Sequence, residues 1–150
     1  MKLLKISAVA GALGAMLVTT AFAQPASLPP IHRSGQVQYL TGGVGSDQSS
    51  AIEQASRHWP LTLEFAVGNK THADFAAGVK TVVRNTEGNT VLQVDSTGPF
   101  VLAKLPPGRY SVDASLGPGT RTLHRTIVIK RDQPAKAVFL WPHDVASATS

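Results

Sequence analysis

The side chains able to carry acid–base or metal chemistry are scattered along this chain. Its five histidines are widely separated: His32, His58, His72, His124 and His143. No two of them have the spacing of metal ligands on one helix or strand, and no H-x-x-x-H pattern occurs. We therefore expect surface histidines, no metal ligands and no cofactor.

The sequence also lacks the patterns of nucleophilic catalysis and of phosphate binding. The absence of Cys excludes thiol chemistry, and the serines have no nucleophile-elbow context. The glycine-rich run 42–45 lacks the Lys and the strand-to-helix setting of a phosphate-binding loop, so it is interpreted as a flexible joint. We expect neither catalytic nor cofactor-binding residues.

The start of the chain has the composition of a secretory signal peptide. Lys2 and Lys5 precede an uncharged apolar stretch that ends in the A-x-A pattern 21–23. This predicts cleavage between Ala23 and Gln24, no stable membrane anchor afterwards, and a periplasmic location. True secretion is the alternative, and a lipoprotein is excluded because its anchor needs a Cys.

Charge argues against nucleic acid as a partner. The chain has 14 basic and 9 acidic side chains. Removal of residues 1–23 leaves twelve basic against nine acidic side chains, a net charge of +3. Nucleic-acid-binding proteins concentrate Lys and Arg on one face or helix, whereas the only adjacent basic pair here is Lys130-Arg131.

The first part of the mature chain is irregular. Residues 24–35 contain three prolines and are expected to form an extended leader. Residues 36–60 are expected to form a short strand, the glycine-rich joint and a helix. Ser46 or Asp47 could cap this helix, and 50–53 fits a capping box. Its apolar face would consist of Ile52, Ala55 and Trp59.

From Pro60 onward the hydrophobic period changes to two, and Gly/Pro turns recur at short intervals. Residues 61–142 predict one sandwich domain, with 68–77 as a loop and 143–150 as a polar tail. The expected strands are 61–67, 79–84, 90–95, 100–104, 109–115, 120–130 and 135–141. The fold prediction is mainly β: a seven- to eight-stranded antiparallel β-sandwich with one short N-terminal helix after the signal peptide.

Residues 73–141 carry a resemblance to a known domain. The matching stretches are 78–83, 87–89, 98–102 and, most specifically, 105–114. They resemble the carboxypeptidase regulatory-like domain, a transthyretin-like β-sandwich. The fold motif comprises Gly98, Phe100, Leu105, Pro106, Pro107, Gly108 and Tyr110.

The motif makes structural predictions but says little about function. Phe100 and Leu102 are expected to enter the core, the Pro-Pro-Gly turn to reverse the chain with Gly108 at positive φ, and Tyr110 to return to the same core. The related hydroxyisourate hydrolases end in Tyr-Arg-Gly-Ser. This chain ends Ser147-Ala148-Thr149-Ser150, so the resemblance does not carry catalysis across.

Three functions remain open at this point. The first is a non-enzymatic exported binding or interaction module with an unknown protein or saccharide partner. The second is a carbohydrate-binding module of starch-binding-like fold, which would show a row of exposed Trp and Tyr side chains. The third is an enzyme, which would show a pocket of convergent His, Asp or Arg groups with perturbed pKa values. The segment 39–59 either covers the sandwich or forms the partner surface.

Overall fold

The computed structural model describes residues 27–143. The predicted signal peptide, its cleavage point between Ala23 and Gln24, and the tail beyond His143 lie outside these residues. Within them the chain forms the following elements in order: β1 (His32–Ser34), β2 (Val37–Gly42), α1 (Ser46–Ser56), β3 (Leu61–Gly68), β4 (Ala73–Phe75), β5 (Lys80–Arg84), β6 (Thr90–Asp95), β7 (Phe100–Lys104), β8 (Gly108–Ser115), β9 (Leu123–Ile129) and β10 (Ala135–Trp141).

The protein is mainly β, with two sheets and one helix among the described residues. The larger sheet has the order β1-β2-β7-β3-β10, and β4 pairs with the far end of β3. The smaller sheet has the order β6-β5-β8-β9. One hydrophobic core takes side chains from both sheets, including Leu63 and Phe139 from the larger and Val83 and Val112 from the smaller. This arrangement is consistent with a β-sandwich.

The strand count and the pairing differ from the sequence prediction. The structure has ten strands, because β1 lies within the expected leader and β4 within the expected loop 68–77. The sheets are not wholly antiparallel, since β10 pairs in parallel with β3 from Ala135↔Leu61 to Trp141↔Val67. β2 lies inside the larger sheet between β1 and β7, so segment 36–60 is part of the sandwich.

Burial in β8 follows the alternation seen in its sequence. Tyr110, Val112 and Ala114 are buried, whereas Ser111 and Asp113 between them are partly exposed. In a strand, successive side chains point to opposite faces of the sheet. The inward register expected for this strand is therefore confirmed.

Strand β7 departs from the expected register because both of its faces are buried. Phe100 and Leu102 do not point into the core between the sheets, as predicted, but into a second cluster on the outer face of the larger sheet. Val101 and Ala103 occupy the central core instead. With apolar residues on both faces, the sequence of this strand contains no alternation from which the inward side could be read.

Helix α1 covers that outer face. Ile52 and Trp59 are buried against Leu40, Phe100 and Leu102, with Ala55 packed at the edge. β3, the neighbour of β7 in this sheet, is also buried on both faces, and even Thr62 is only 3% exposed. The helix therefore packs on the sandwich through Ile52 and Ala55 of the predicted apolar face, whereas Trp59 lies beyond the end of the helix at Ser56.

The start of α1 differs from the expected caps. Gly45 occupies the N-cap position, no side chain caps the helix, and residues 50–53 lie inside it rather than at its start. Gln48 reaches back instead, and its Oε1 accepts a hydrogen bond of 2.8 Å from the Gly43 N–H. A Cβ on Gly43 would lie 2.5 Å from the Phe100 ring. Gly43 thus permits close packing of the chain on Phe100.

Among the described residues, no helix has the length and hydrophobicity needed to cross a bilayer.

Candidate functional site

A pocket of about 460 Å³ opens where three connecting segments meet at one end of the sandwich. The segments are the end of α1 with the link to β3, the β7–β8 turn and the β9–β10 turn. The apolar lining comprises Trp59, Pro60, Leu105, Pro107, Ile129 and Pro134, and the polar lining comprises Arg57, His58, Lys130, Arg131, Asp132 and Gln133. Pockets of this size accommodate small ligands or a few residues of a peptide.

The floor of the pocket is fixed by the two hydrophobic clusters. Trp59, Leu105 and Ile129 are 7%, 3% and 3% exposed. The Trp59 ring packs under α1 and is covered from another side by Lys104, whose Nζ lies 5.0 Å from the ring centroid. Because these side chains belong to the packed interior, the floor is preorganised.

The Pro-Pro-Gly turn forms one wall, and Tyr110 holds it. The Tyr110 O–H donates a hydrogen bond of 2.7 Å to the Pro106 carbonyl. Burial raises the pKa of Tyr110 above its usual value, since it disfavours the phenolate. Gly108 has a φ of 157°, which agrees with the expected positive value. The turn therefore presents Pro107 to the pocket in a defined position.

The β9–β10 turn forms a second wall. Asp132 has a φ of 59° and is the only residue other than glycine with positive φ in the described part of the chain. The Gln133 N–H donates a hydrogen bond of 3.3 Å to the Lys130 carbonyl, and the Ala135 N–H donates one of 2.9 Å to the Pro60 carbonyl. These bonds tie the turn to the start of β3 and bring the exposed Lys130 and Arg131 to the pocket.

The rim of the pocket is positively charged. Three basic side chains, those of Arg57, Lys130 and Arg131, accompany one acid, Asp132, and all four are exposed. The described ion pairs join Asp113 to Arg84 and His124, and Lys136 to Glu64. Within residues 27–143 the basic side chains of the rim thus have no acidic partner, and they are available to an anionic ligand.

A second polar cluster lies on the outer face of the smaller sheet. Asp113 accepts a hydrogen bond of 2.7 Å from the Arg84 guanidinium, and its other oxygen lies 2.6 Å from Nδ1 of His124. The hydrogen bond with His124, reinforced by Arg84, lowers the pKa of Asp113 despite some desolvation. The His124 side chain is 60% exposed, and Arg84, Asp113 and His124 are not among the residues that line the end pocket.

The histidines lie on different elements of the structure. His32 lies beside the Tyr39 ring with centroids 5.5 Å apart, His58 lines the pocket, His72 lies in an exposed loop, His124 meets Asp113, and His143 follows β10. Within residues 27–143, no group of three or more possible metal ligands comes together. Sequence reasoning identified Lys130-Arg131 as a basic pair but missed Arg57 beside it, because 73 positions separate Arg57 from Lys130.

The residues of the fold motif divide between packing and the pocket. Gly98 lies against the β2 backbone, so that a Cβ there would be 2.3 Å from the Gly42 carbonyl oxygen. Phe100 is fully buried under the helix. Leu105 and Pro107 line the pocket, while Pro106, Gly108 and Tyr110 shape its turn.

The sequence matches no protein-family model and shows no significant similarity to a curated protein.

Proposed function

We propose that this protein is an exported, non-enzymatic β-sandwich module that binds its partner through the basic end pocket. The observation that carries the proposal is the combination of exposed basic side chains without acidic partners and a fixed apolar floor. Binding sites typically combine an apolar surface with a few well-placed polar groups. Exposed charges at a rim steer a partner of opposite sign.

A binding role has more support than a catalytic one. A catalytic site needs convergent acid–base groups in a pocket that holds the substrate. The Arg84–Asp113–His124 cluster has the groups but lies on an open sheet face, whereas the pocket lies elsewhere. The pocket and the acid–base groups thus lie in different places, which favours ligand binding over catalysis.

The carbohydrate-binding alternative has less support. Sugar recognition of that kind relies on exposed aromatic faces, yet Trp59, Trp141 and Tyr110 are 7%, 0% and 7% exposed. Tyr39 is partly exposed and lies against His32. These are all the Trp and Tyr residues of the chain, and they do not form an exposed row. A protein partner is therefore preferred to a saccharide.

The domain family of the sandwich and the cellular location of the protein are part of the same proposal. The two sheets sharing one core and the Pro-Pro-Gly turn with its tyrosine support a transthyretin-like, carboxypeptidase regulatory-like domain. The A-x-A pattern at 21–23 supports export to the periplasm. Mass spectrometry of the exported protein should find Gln24 at the N-terminus, and a full-length, membrane-retained main product would contradict export.

Site-specific photo-crosslinking in the cells that make the protein tests the pocket directly. A photoreactive amino acid replaces Gln133, which lines the pocket, or Pro118, which is exposed at the other end of β8. We expect a discrete crosslinked adduct from position 133 and none from position 118. An adduct from position 118 alone, or equal adducts from both, would refute the pocket as the binding site.

A further inference from the structure

We infer that the pocket takes an acidic segment of a protein partner in which carboxylates flank an apolar side chain. The inference rests on the proposed function and gives the partner its chemistry.

The charge of the rim selects the sign of the ligand. Arg57 lies just after α1, whereas Lys130 and Arg131 lie on the β9–β10 turn. Two different segments of the wall thus present basic side chains, and the single acid, Asp132, offsets only one of their charges. A ligand that neutralises both segments needs more than one negative group, which a run of Asp and Glu residues supplies.

The lining between these cations selects an apolar group. Pro107 and Pro134 are exposed at the wall, and Pro60 is partly exposed. The buried Trp59 and Leu105 close the floor below them. An aliphatic or aromatic side chain that enters here loses water without leaving a polar group unpaired, which is the favourable form of burial.

The same lining disfavours polyanions that lack apolar side chains. Single-stranded nucleic acids bind by stacking bases on exposed aromatic rings, and saccharides need similar faces. Two rings line the pocket: Trp59 is 7% exposed and covered by Lys104, so His58 is the single exposed ring and no row of stacking faces is formed. Carboxylates and an apolar side chain in one ligand are characteristic of a peptide.

Fluorescence anisotropy with synthetic peptides tests this ligand class. The probe is a labelled peptide with Leu flanked by two Glu residues on each side, compared with the same peptide carrying Ser in place of Leu. We expect the Ser peptide to bind about tenfold more weakly, the order of effect found for loss of an apolar group. Binding of the Leu peptide should weaken as salt screens the exposed charges. Equal affinity for both peptides would refute the role of the apolar floor.

Charge-reversal variants locate the binding. The double variant K130E/R131E should lower affinity for the Leu peptide at least tenfold, whereas K70E/K80E, with the same change in net charge on exposed residues elsewhere, should stay within about twofold. Urea midpoints verify that both variants are folded, and K130Q/R131Q replaces the reversal if K130E/R131E is not. Equal loss in K130E/R131E and K70E/K80E would overturn the inference.

Two further outcomes separate this inference from the proposed function. Tighter binding of a single-stranded oligonucleotide or a sulfated saccharide than of the Leu peptide would overturn the ligand class. Absence of peptide binding, with the adduct at position 133 retained, would likewise overturn the ligand class but leave the pocket as the binding site. If position 133 gives no adduct and the peptide binds at another surface, the proposed function itself is refuted.

Discussion

Removal of the Tyr110 side chain, in two steps, should separate the contribution of its hydroxyl from that of its ring. Tyr110→Phe deletes the 2.7 Å hydrogen bond to the Pro106 carbonyl. Pro106 is exposed, so water can satisfy the carbonyl, and the loss should be about 1 kcal/mol of unfolding free energy. Tyr110→Ala also removes a ring that is only 7% exposed, and the cost should be about 3–5 kcal/mol.

Urea unfolding followed by tryptophan fluorescence measures both steps. The midpoints should fall in the order wild type, Tyr110→Phe, Tyr110→Ala, with similar slopes if the unfolded states are alike. A Tyr110→Ala variant as stable as wild type would mean that the ring does not fill the core. The inward register of β8 would then be wrong, because a slip of one residue moves every side chain to the other face.

Alkaline pH provides an independent measure of the same residue. Burial raises the pKa of Tyr110 in the folded state above 10.0. Its contribution is therefore fully present below pH 10.0, and it is lost as the pH rises through the folded-state pKa. Wild type should lose more stability than Tyr110→Phe in this range, and equal losses would show that the hydroxyl is hydrated in the folded protein.

Three further substitutions test the packing and the polar cluster. Gly98→Ala would place a Cβ 2.3 Å from the Gly42 carbonyl oxygen. Because β2 must shift to make room, the free energy of unfolding should fall by about 1–3 kcal/mol. An unchanged melting temperature would contradict this close approach. Ile52→Ala removes a fully buried side chain between α1 and the larger sheet. The free energy of unfolding measured in urea should fall by about 2–5 kcal/mol. A decrease below about 1 kcal/mol would mean that α1 does not pack on this sheet. Asp113→Asn should cost about 1 kcal/mol at neutral pH, because the side chains of its partners Arg84 and His124 are 38% and 60% exposed. Since the Asp113 pKa is lowered in the folded state, its contribution is present above pH 3.8 and lost as the pH falls through the folded-state pKa. The variant should therefore lose less stability than wild type on acidification, and equal losses would contradict the ion pair.

The elements with a clear local pattern were predictable from the sequence. Strands β8 and β10 follow the predicted bounds to within one residue, 109–115 against Gly108–Ser115 and 135–141 against Ala135–Trp141. In β8 polar residues alternate with apolar ones on the partly exposed side, so the buried face can be read directly.

The remaining features depend on contacts between distant parts of the chain. β1 and β4 have three residues each, too few for a periodic pattern, and each exists because a longer strand pairs with it. The parallel pairing of β10 with β3 joins residues 74 positions apart, and local turn signals imply antiparallel neighbours instead. The pocket has the same origin, since Arg57 and Lys130 line one cavity although 73 positions separate them in the sequence.

The central claim, that the partner binds at the end pocket, is tested most directly by amide chemical-shift mapping of the protein during titration with the Leu peptide. The account predicts shifts concentrated at Arg57, Leu105 and residues 130–133, together with the indole N–H of Trp59. Shifts confined to the outer face of the smaller sheet, around Asp113, would contradict it.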